Sequence, residues 1–554
     1  MKTRKLVIWI LTLLVFALFS TDVVARGVSL ALNKSSFVAG DKMQVKCEVN
    51  ATDIPAQNAD VYFALGTPDA TFYCIYADGL FGEPNVIGTA LPDWSVVDIT
   101  STTLFAFDFS TGIPPGTYAW CLVLCEPGKD VKDINNWLAS DTYQWEFDGY
   151  QWEFQELKSE QQRDNVPDVP EAELTKLAAG NSAFAFDLYQ EVRGGVGNIF
   201  YSPYSISLAL AMTYAGARNE TASQMADTLH FSLTQAHLHP VFNALDLELA
   251  SRGQGAEGQN GDGFRLNVIN AIWGQTGYPF LPEFLDIMAE NYGAGLNLLD
   301  FRNVPEDSRV CINNWVSEQT EDRINDLLPQ GSITPLTRLV LTNAIYFNAA
   351  WLHPFDEKDT QQNGIFHLAE GVQVAVPMMS QTEYFKYARG DGYQAVELPY
   401  DGEELSMVVF LPESDRFDEF ETSLDAGRLE EIINNLSRRY LHLTMPRFEY
   451  EFSLGLKKML KAMGMNDAFD PLLADFSGMN GTRSLSIDAV IHKAFVSVDE
   501  AGTEAAAATA VIMTTTGIPS APTELTLDHP FTFLIRDMET GTLLFVGRVL
   551  NPGQ

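Results

Sequence analysis

Apolar and polar positions follow two different periods along the chain. Up to about residue 155 the apolar residues recur at every second position in short runs, 42–49, 60–65, 71–76, 103–109, 117–124 and 142–147. Gly, Pro, Asn and Asp separate the runs, as at Pro114, Pro115 and Gly116, so each run reads as a strand closed by a turn. Six or more short strands in roughly 130 residues predict an all-β sandwich of immunoglobulin-like type over 26–155. A local echo, QWEF at 144–147 and again at 151–154, predicts two edge strands of one hairpin. From Leu174 onward the pattern changes. Residues 178–191 are amphipathic at helical spacing, and later blocks alternate again, which predicts a mixed α+β domain over 174–554. Residues 156–173, polar and carrying Pro167 and Pro170, read as a linker.

The first 25 residues fit neither pattern. Lys2, Arg4 and Lys5 precede an apolar run over 6–19 that is short for a membrane span, and Val23 and Ala25 satisfy a small-residue cleavage rule. The expectation is a signal peptide over 1–25 and a secreted, extracellular protein, with the periplasm or cell surface as related destinations and no stable membrane insertion. An export signal turns Cys47, Cys74, Cys121 and Cys125 into disulfide candidates. Cys121 and Cys125 lie about 13 Å apart on one strand, beyond the roughly 7 Å reach of a disulfide, so each is expected to pair with Cys47 or Cys74. No histidine lies in this domain, so a metal site there has little support.

A formal net charge of −38 over 554 residues repels nucleic acid and anionic membrane, so neither is expected as a partner. The motifs of catalysis are missing or misplaced. G-x-S-x-G and H-E-x-x-H are absent. Gly253, Gly255 and Gly258 match G-x-G-x-x-G, but in a polar loop with no strand before it and no apolar helix after it. His237 and His239 lack a third ligand, and Cys311 reads as a half-buried structural thiol. No enzyme activity, metal or cofactor is expected.

The stretch 498–522, VDEAGTEAAAATAVIMTTTGIPSAP, is the least ordinary in the chain. Its alanines favour a helix, but its β-branched residues favour a strand, and no apolar stripe at helical spacing would dock a helix there. As a strand it puts Thr503, Ala505, Ala507, Thr509, Val511 and Met513 on one face, neutral and mostly small. Such a face suits both exposure and burial.

Glu500, Gly502, Thr503, Glu504, the alanines Ala505, Ala506, Ala507 and Ala508, and Thr509 resemble the hinge of the reactive-centre loop in inhibitory serpins. The resemblance extends in order from about 174 to 554. It is carried by Ser202, Pro203, Ser205 and Ile206, by NAIYFNAAWLHPF from Asn343, by VELPYDGEELSMVVFLP at 396–412, by IHKAFVSVDE at 491–500 and by the C-terminal DHPFTFLIRDMETGTLLFVGRVLNP. It implies an α+β serpin fold of three β-sheets and about nine helices with an exposed reactive-centre loop. It also implies a polar cluster of Ser202, Ser205, Asn343 and His492 beneath the opening strands, with Trp351 at the top of the sheet. The N-terminal domain resembles β-sandwich modules appended to secreted bacterial proteins.

The function the resemblance implies is inhibition of a protease by a suicide substrate. The target forms an acyl-enzyme with the loop, which then inserts into the central sheet. Counting about fourteen residues beyond Gly502, as the family pattern directs, puts the reactive bond at Thr516 and Gly517, in a window bounded by Met513 and Pro519. No Lys or Arg lies between Lys493 and Arg536, which disfavours proteases whose pocket carries a carboxylate. Elastase-like or subtilisin-like serine proteases are the expected partners, with papain-like cysteine proteases as a second class. Heparin activation is not expected, because Asp246 and Glu248 stand where activated members carry a basic face, and Lys457, Lys458 and Lys461 read as an ordinary solvated helix face. A non-inhibitory binding or storage protein is the alternative, which Pro or charge on the inward face of the hinge would favour. Neither is present.

Overall fold

The computed structural model describes residues 27–37, 42–68, 71–75, 89–108, 116–133, 136–147, 154–253, 264–320, 322–368, 371–503 and 521–553. The chain forms two compact units, Met1–Trp152 and Glu153–Gln554.

The first unit holds two sheets. One runs β1 (Val28–Leu32), β3 (Lys42–Val49), β7 (Ile99–Asp108). The other runs β2 (Ser36–Phe37), β9 (Trp137–Phe147), β8 (Gly116–Cys125), β4 (Asn58–Gly66), β5 (Phe72–Cys74), with β6 (Leu91–Ser95) also on β4. The two sheets share one core. Leu30, Met43 and Val45 from the first meet Phe63, Tyr118 and Trp120 from the second. Trp120 stacks on Phe63 at 5.1 Å, and its indole N–H donates to the Met43 sulfur at 3.1 Å.

All four cysteines of this unit are free thiols, contrary to the disulfide expectation. Topology gives the reason. Cys74 and Cys121 both lie opposite Ala64, on strands either side of β4, so two strand spacings of about 4.8 Å each hold them beyond disulfide reach. Cys47 lies on β3 of the other sheet, opposite Leu30 and Thr102, and Cys125 lies opposite Asp60 and Trp137.

The second unit is built on two larger sheets. The central one runs β10 (Gln155–Leu157), β13 (Leu296–Leu299), β12 (Phe264–Gln275), β14 (Leu339–Ala350), β22 (Gly502–Thr503), β21 (Ala489–Val498), β20 (Phe448–Gly455). The other runs β11 (Ile199–Tyr201), β25 (Leu543–Val549), β24 (Phe531–Asp537), β18 (Leu405–Pro412), β17 (Tyr393–Pro399), β16 (Gln373–Gly390), β19 (Ser437–Pro446), β23 (Thr523–Thr526), with β15 (Gln361–His367) on β16. Two of the three expected sheets are thus one hydrogen-bonded sheet. The 18-residue β16 is long enough to pair with β15 and β19 along most of its length and with β17 at its end.

Ten α-helices occur among the described residues: α1 (Glu171–Val192), α2 (Pro203–Tyr214), α3 (Asn219–Thr228), α4 (Gln235–Ala250), α5 (Pro282–Tyr292), α6 (Pro305–Gln319), α7 (Phe417–Ser423), α8 (Ala426–Asn435), α9 (Lys457–Ala462) and α10 (Ser477–Asn480). Helix α2 is buried at every position, and its start is fixed locally. The Ser202 hydroxyl accepts from the Ser205 N–H at 3.1 Å, and Pro203 fills the first turn, where a missing N–H costs nothing.

The expected linker does not stand free. Residues 155–157 pair with β13 as an edge strand, whereas the hairpin expected from the QWEF echo falls on residues 148–153, outside the described residues. Phe154 packs edge-on against Trp273 at 5.2 Å. Further along, Arg163 reaches Asp246 at 2.6 Å and Asn243 at 2.8 Å, and the Asn243 amide donates to the Asp164 carbonyl at 2.6 Å. The expected signal peptide lies outside the described residues. Among those described, no helix is long and apolar enough to cross a membrane.

Candidate functional site

Strands β14 and β21 are parallel neighbours over only part of their length. Their ladder runs from Val340↔Ala489 to Ile345↔Ala494 and stops. Above it the gap is filled by β22: Ala349 pairs with Thr503, Ala350 with Gly502, and Val498 with Thr503 from the other side. The first two residues of the 502–520 stretch are therefore already strand, lodged between the two central strands.

Each residue at this entrance has a distinct role. A Cβ on Gly502 would fall 2.2 Å from the Ala349 carbonyl oxygen, so only glycine fits. Thr503 is 1% exposed, and its hydroxyl meets the Tyr400 hydroxyl at 2.8 Å. Trp351 stacks on Tyr400 with ring centroids 4.7 Å apart, donates its indole N–H to the Asp499 carbonyl at 3.0 Å and its backbone N–H to the Ala501 carbonyl at 2.9 Å. The Glu500 carboxylate is buried and accepts from the Arg447 guanidinium at 2.5 Å and from the Thr360 hydroxyl. Burial pushes the Asp499 carboxyl above its usual range, while the N–H groups of Ala501 and Gly502, at 2.8 and 3.2 Å, pull the other way.

Below the entrance lies the polar cluster expected from the sequence. His492 is fully buried. Its Nε2 accepts from the Ser202 N–H at 3.2 Å, which leaves Nδ1 to donate to the Asn343 side-chain oxygen. The Asn343 amide donates to the Ser205 hydroxyl and the Asn270 side-chain oxygen. Burial pushes the His492 imidazole down to about 3, so it is neutral at ordinary pH. One network thus ties β12, β14, β21 and the start of α2 together across the line between β14 and β21.

Residues 179–552 match the family model described as Serpin (serine protease inhibitor). The chain belongs to the serpin family. An uncharacterized serpin-like protein of Thermococcus kodakarensis is 43% identical over 373 residues, covering 67% of this chain and 84% of that protein. The leukocyte elastase inhibitor of Homo sapiens is 40% identical over 391 residues, covering 68% of this chain and 100% of that protein. Among solved structures, uncleaved ovalbumin matches with a TM-score of 0.61 at 29% identity, over 68% of this chain and 100% of its own. The thermophilic serpin tengpin in its native state also gives 0.61 at 29%, over 71% of this chain and 97% of its own. The Thermococcus kodakarensis and Homo sapiens relatives and tengpin are named as serpins or as an inhibitor, not as enzymes.

The structure brings together Ser202, Ser205, Asn343, His492 and Trp351 as well as Glu500, Gly502 and Thr503 of the expected hinge. Hinge residues Glu504 to Thr509, and the expected reactive bond at Thr516 and Gly517 with its window, lie outside the described residues. Four participants were missed in the sequence: Asn270, Tyr400, Thr360 and Arg447. Asn270 left a signal, a polar residue within an alternating apolar strand; the others left none. The residues set aside as non-catalytic have structural partners. His239 bonds the Tyr292 hydroxyl at 2.7 Å and His237 bonds Glu173 at 3.0 Å. Burial pushes the Cys311 thiol up to about 12, too high for a nucleophile. No metal-binding cluster occurs among the described residues.

Proposed function

We propose that this serpin is a secreted suicide-substrate inhibitor of elastase-like or subtilisin-like serine proteases, with papain-like cysteine proteases as a second class. The observation that carries the reading is the lodging of Gly502 and Thr503 between β14 and β21 directly above the His492 cluster. An antiparallel strand has begun to enter the sheet, and Thr503, Ala505, Ala507 and Thr509 offer nothing large or charged to stop it. After attack by the protease the loop end is free, and continued insertion carries the acyl-enzyme with it. Uncharged residues around Thr516 and Gly517 favour shallow or apolar specificity pockets. The likeness to leukocyte elastase inhibitors supports the same class of target. The reading includes no cofactor, no nucleic-acid partner and no heparin activation.

The test is incubation with pancreatic elastase, subtilisin, papain and trypsin, followed by denaturing electrophoresis and mass spectrometry of the released peptide. Denaturant-resistant complexes with elastase or subtilisin, cut between Met513 and Pro519, are expected. Trapping of trypsin alone, or a cut outside that window, overturns the assignment. N-terminal sequencing of protein recovered from culture medium is expected to start at Arg26.

A further inference from the structure

A second feature of the serpin unit shares no residue with the hinge or the His492 cluster. A pocket of about 560 Å³ opens between α8 and the hairpin of β16 and β17, within the size range of small-molecule sites. Its wall carries Arg389, Arg428 and Arg439 beside Asp391 and Glu431. Both carboxylates are already neutralised, Asp391 by Arg416 at 3.0 Å and Glu431 by Arg428 at 3.0 Å. Arg389 and Arg439 have no ion pair among the described residues. With 73 acidic residues against 35 basic ones in the chain, a concave surface whose unbalanced charge is positive runs against the composition.

The floor of the pocket is aromatic and fixed in place. Tyr387 and Tyr393 are both buried and join the main core. Tyr393 lies flat against the hairpin because position 390 is glycine; a Cβ there would fall 2.0 Å from the ring. The Arg428 guanidinium stands 5.2 Å from the Tyr393 ring centroid, and its Nε is shielded from solvent with no acceptor among the described residues. Strand register places the two free arginines around this floor. Arg439 lies opposite Phe385, four residues before Arg389 on the same face, so the two flank Tyr387 with about 13 Å of strand between their Cα positions.

We propose that this pocket binds a small organic anion, an aryl phosphate or aryl carboxylate. Arg389 and Arg439 take the headgroup, and Tyr387 and Tyr393 support the ring. A guanidinium presents paired donors that match carboxylate and phosphate oxygens, and two of them converging on one group give both affinity and orientation. The tyrosine floor separates this site from a general cationic patch, which would hold a bare anion equally well.

The probe is phenyl phosphate, titrated calorimetrically into the full chain. Saturable one-to-one binding is expected, weakened at least tenfold in Arg389→Ala and in Arg439→Ala. Arg438→Ala is the control. It removes the same charge from the opposite face of the sheet, where Arg438 lies 4.8 Å from the Tyr384 ring centroid, and it is expected to leave binding unchanged. Inorganic phosphate alone is expected to bind at least tenfold more weakly than phenyl phosphate. Absence of saturable binding, an equal loss in Arg438→Ala, or inorganic phosphate binding as tightly as phenyl phosphate overturns the proposal.

Discussion

Thr503 sits in a dry, closed space at the start of the stretch that the proposed function requires to enter the sheet. Its hydroxyl is satisfied there by Tyr400, and no room for charge remains at 1% exposure. Thr503→Arg buries a cation with no carboxylate arranged for it, at a cost of several kcal/mol. The variant is expected to be cleaved by the target protease at an undiminished rate but to trap little of it, read as the ratio of cleaved inhibitor to complex on a denaturing gel. Wild-type trapping would refute the inward role of Thr503. His492 gives a pH dependence whose sign follows from its lowered pKa, about 3 against 6.5. Between those values the unfolded chain takes up a proton that the folded chain refuses, so stability falls as pH drops below 6.5. His239, held down to about 4 by burial, acts in the same direction. Urea midpoints measured from pH 7 to pH 5, above most carboxylate titration, are expected to decline, and less steeply in His492→Gln. At this scale Ser202, Ser205, Asn343 and His492 were legible through the resemblance to the serpins, which implies a polar cluster at those positions. Tyr400, Thr360 and Arg447 were not, since their roles depend on strands far away in sequence.

At the scale of elements, the segment following the first unit shows where pattern reading runs out. Its polarity predicts a free tether, and its few apolar residues give no period. What holds it is hydrogen bonding to groups the rest of the fold leaves open: the edge of β13, the Asp246 carboxylate and the buried side chain of Asn243. Asn243 accepts from Arg163 and donates to the Asp164 carbonyl, and it is fully buried. Asn243→Ala removes both bonds, each worth about 0.5–1.5 kcal/mol net, so about 1–3 kcal/mol together. Urea unfolding of this variant is expected to show a loss of that size, with residues 154–170 becoming protease-sensitive first. Unchanged stability would mean that the segment does not dock on α4. The two-residue β22 was invisible to periodicity for a different reason. So short a strand exists only because β14 and β21 diverge above Ile345 and Ala494 and leave their inner edges unpaired.

For the whole molecule, the two-unit division and the α+β character of the larger unit were legible, since both follow from periodicity over long windows. The disulfides were expected from the export signal and cysteine count, but the strand order places Ala64 between Cys74 and Cys121. Order within a sheet is a long-range property that spacing along the chain does not encode. The same long-range property sets the energetics of the native state. The intact chain keeps one parallel ladder of six pairs between β14 and β21. Full insertion, as proposed, would replace it with two antiparallel ladders, one on each side of the entering strand. Each added ladder bond contributes about 0.5–1.5 kcal/mol net, against an ordering cost of about 1–2 kcal/mol per residue that burial of the inserted face must also offset. Over the roughly 400 residues of Glu153–Gln554, a net gain of several kcal/mol corresponds to a rise in melting temperature of about 4–10 °C. Cutting the loop with a protease that is not trapped releases it for insertion, so the nicked protein is expected to melt higher than the intact one by that margin in scanning calorimetry. Nicked Thr503→Arg should not show the rise, because its charge stays at the entrance. Equal melting of nicked and intact wild-type protein would show that β22 is as far as the strand goes, and that this chain uses the serpin fold without loop insertion.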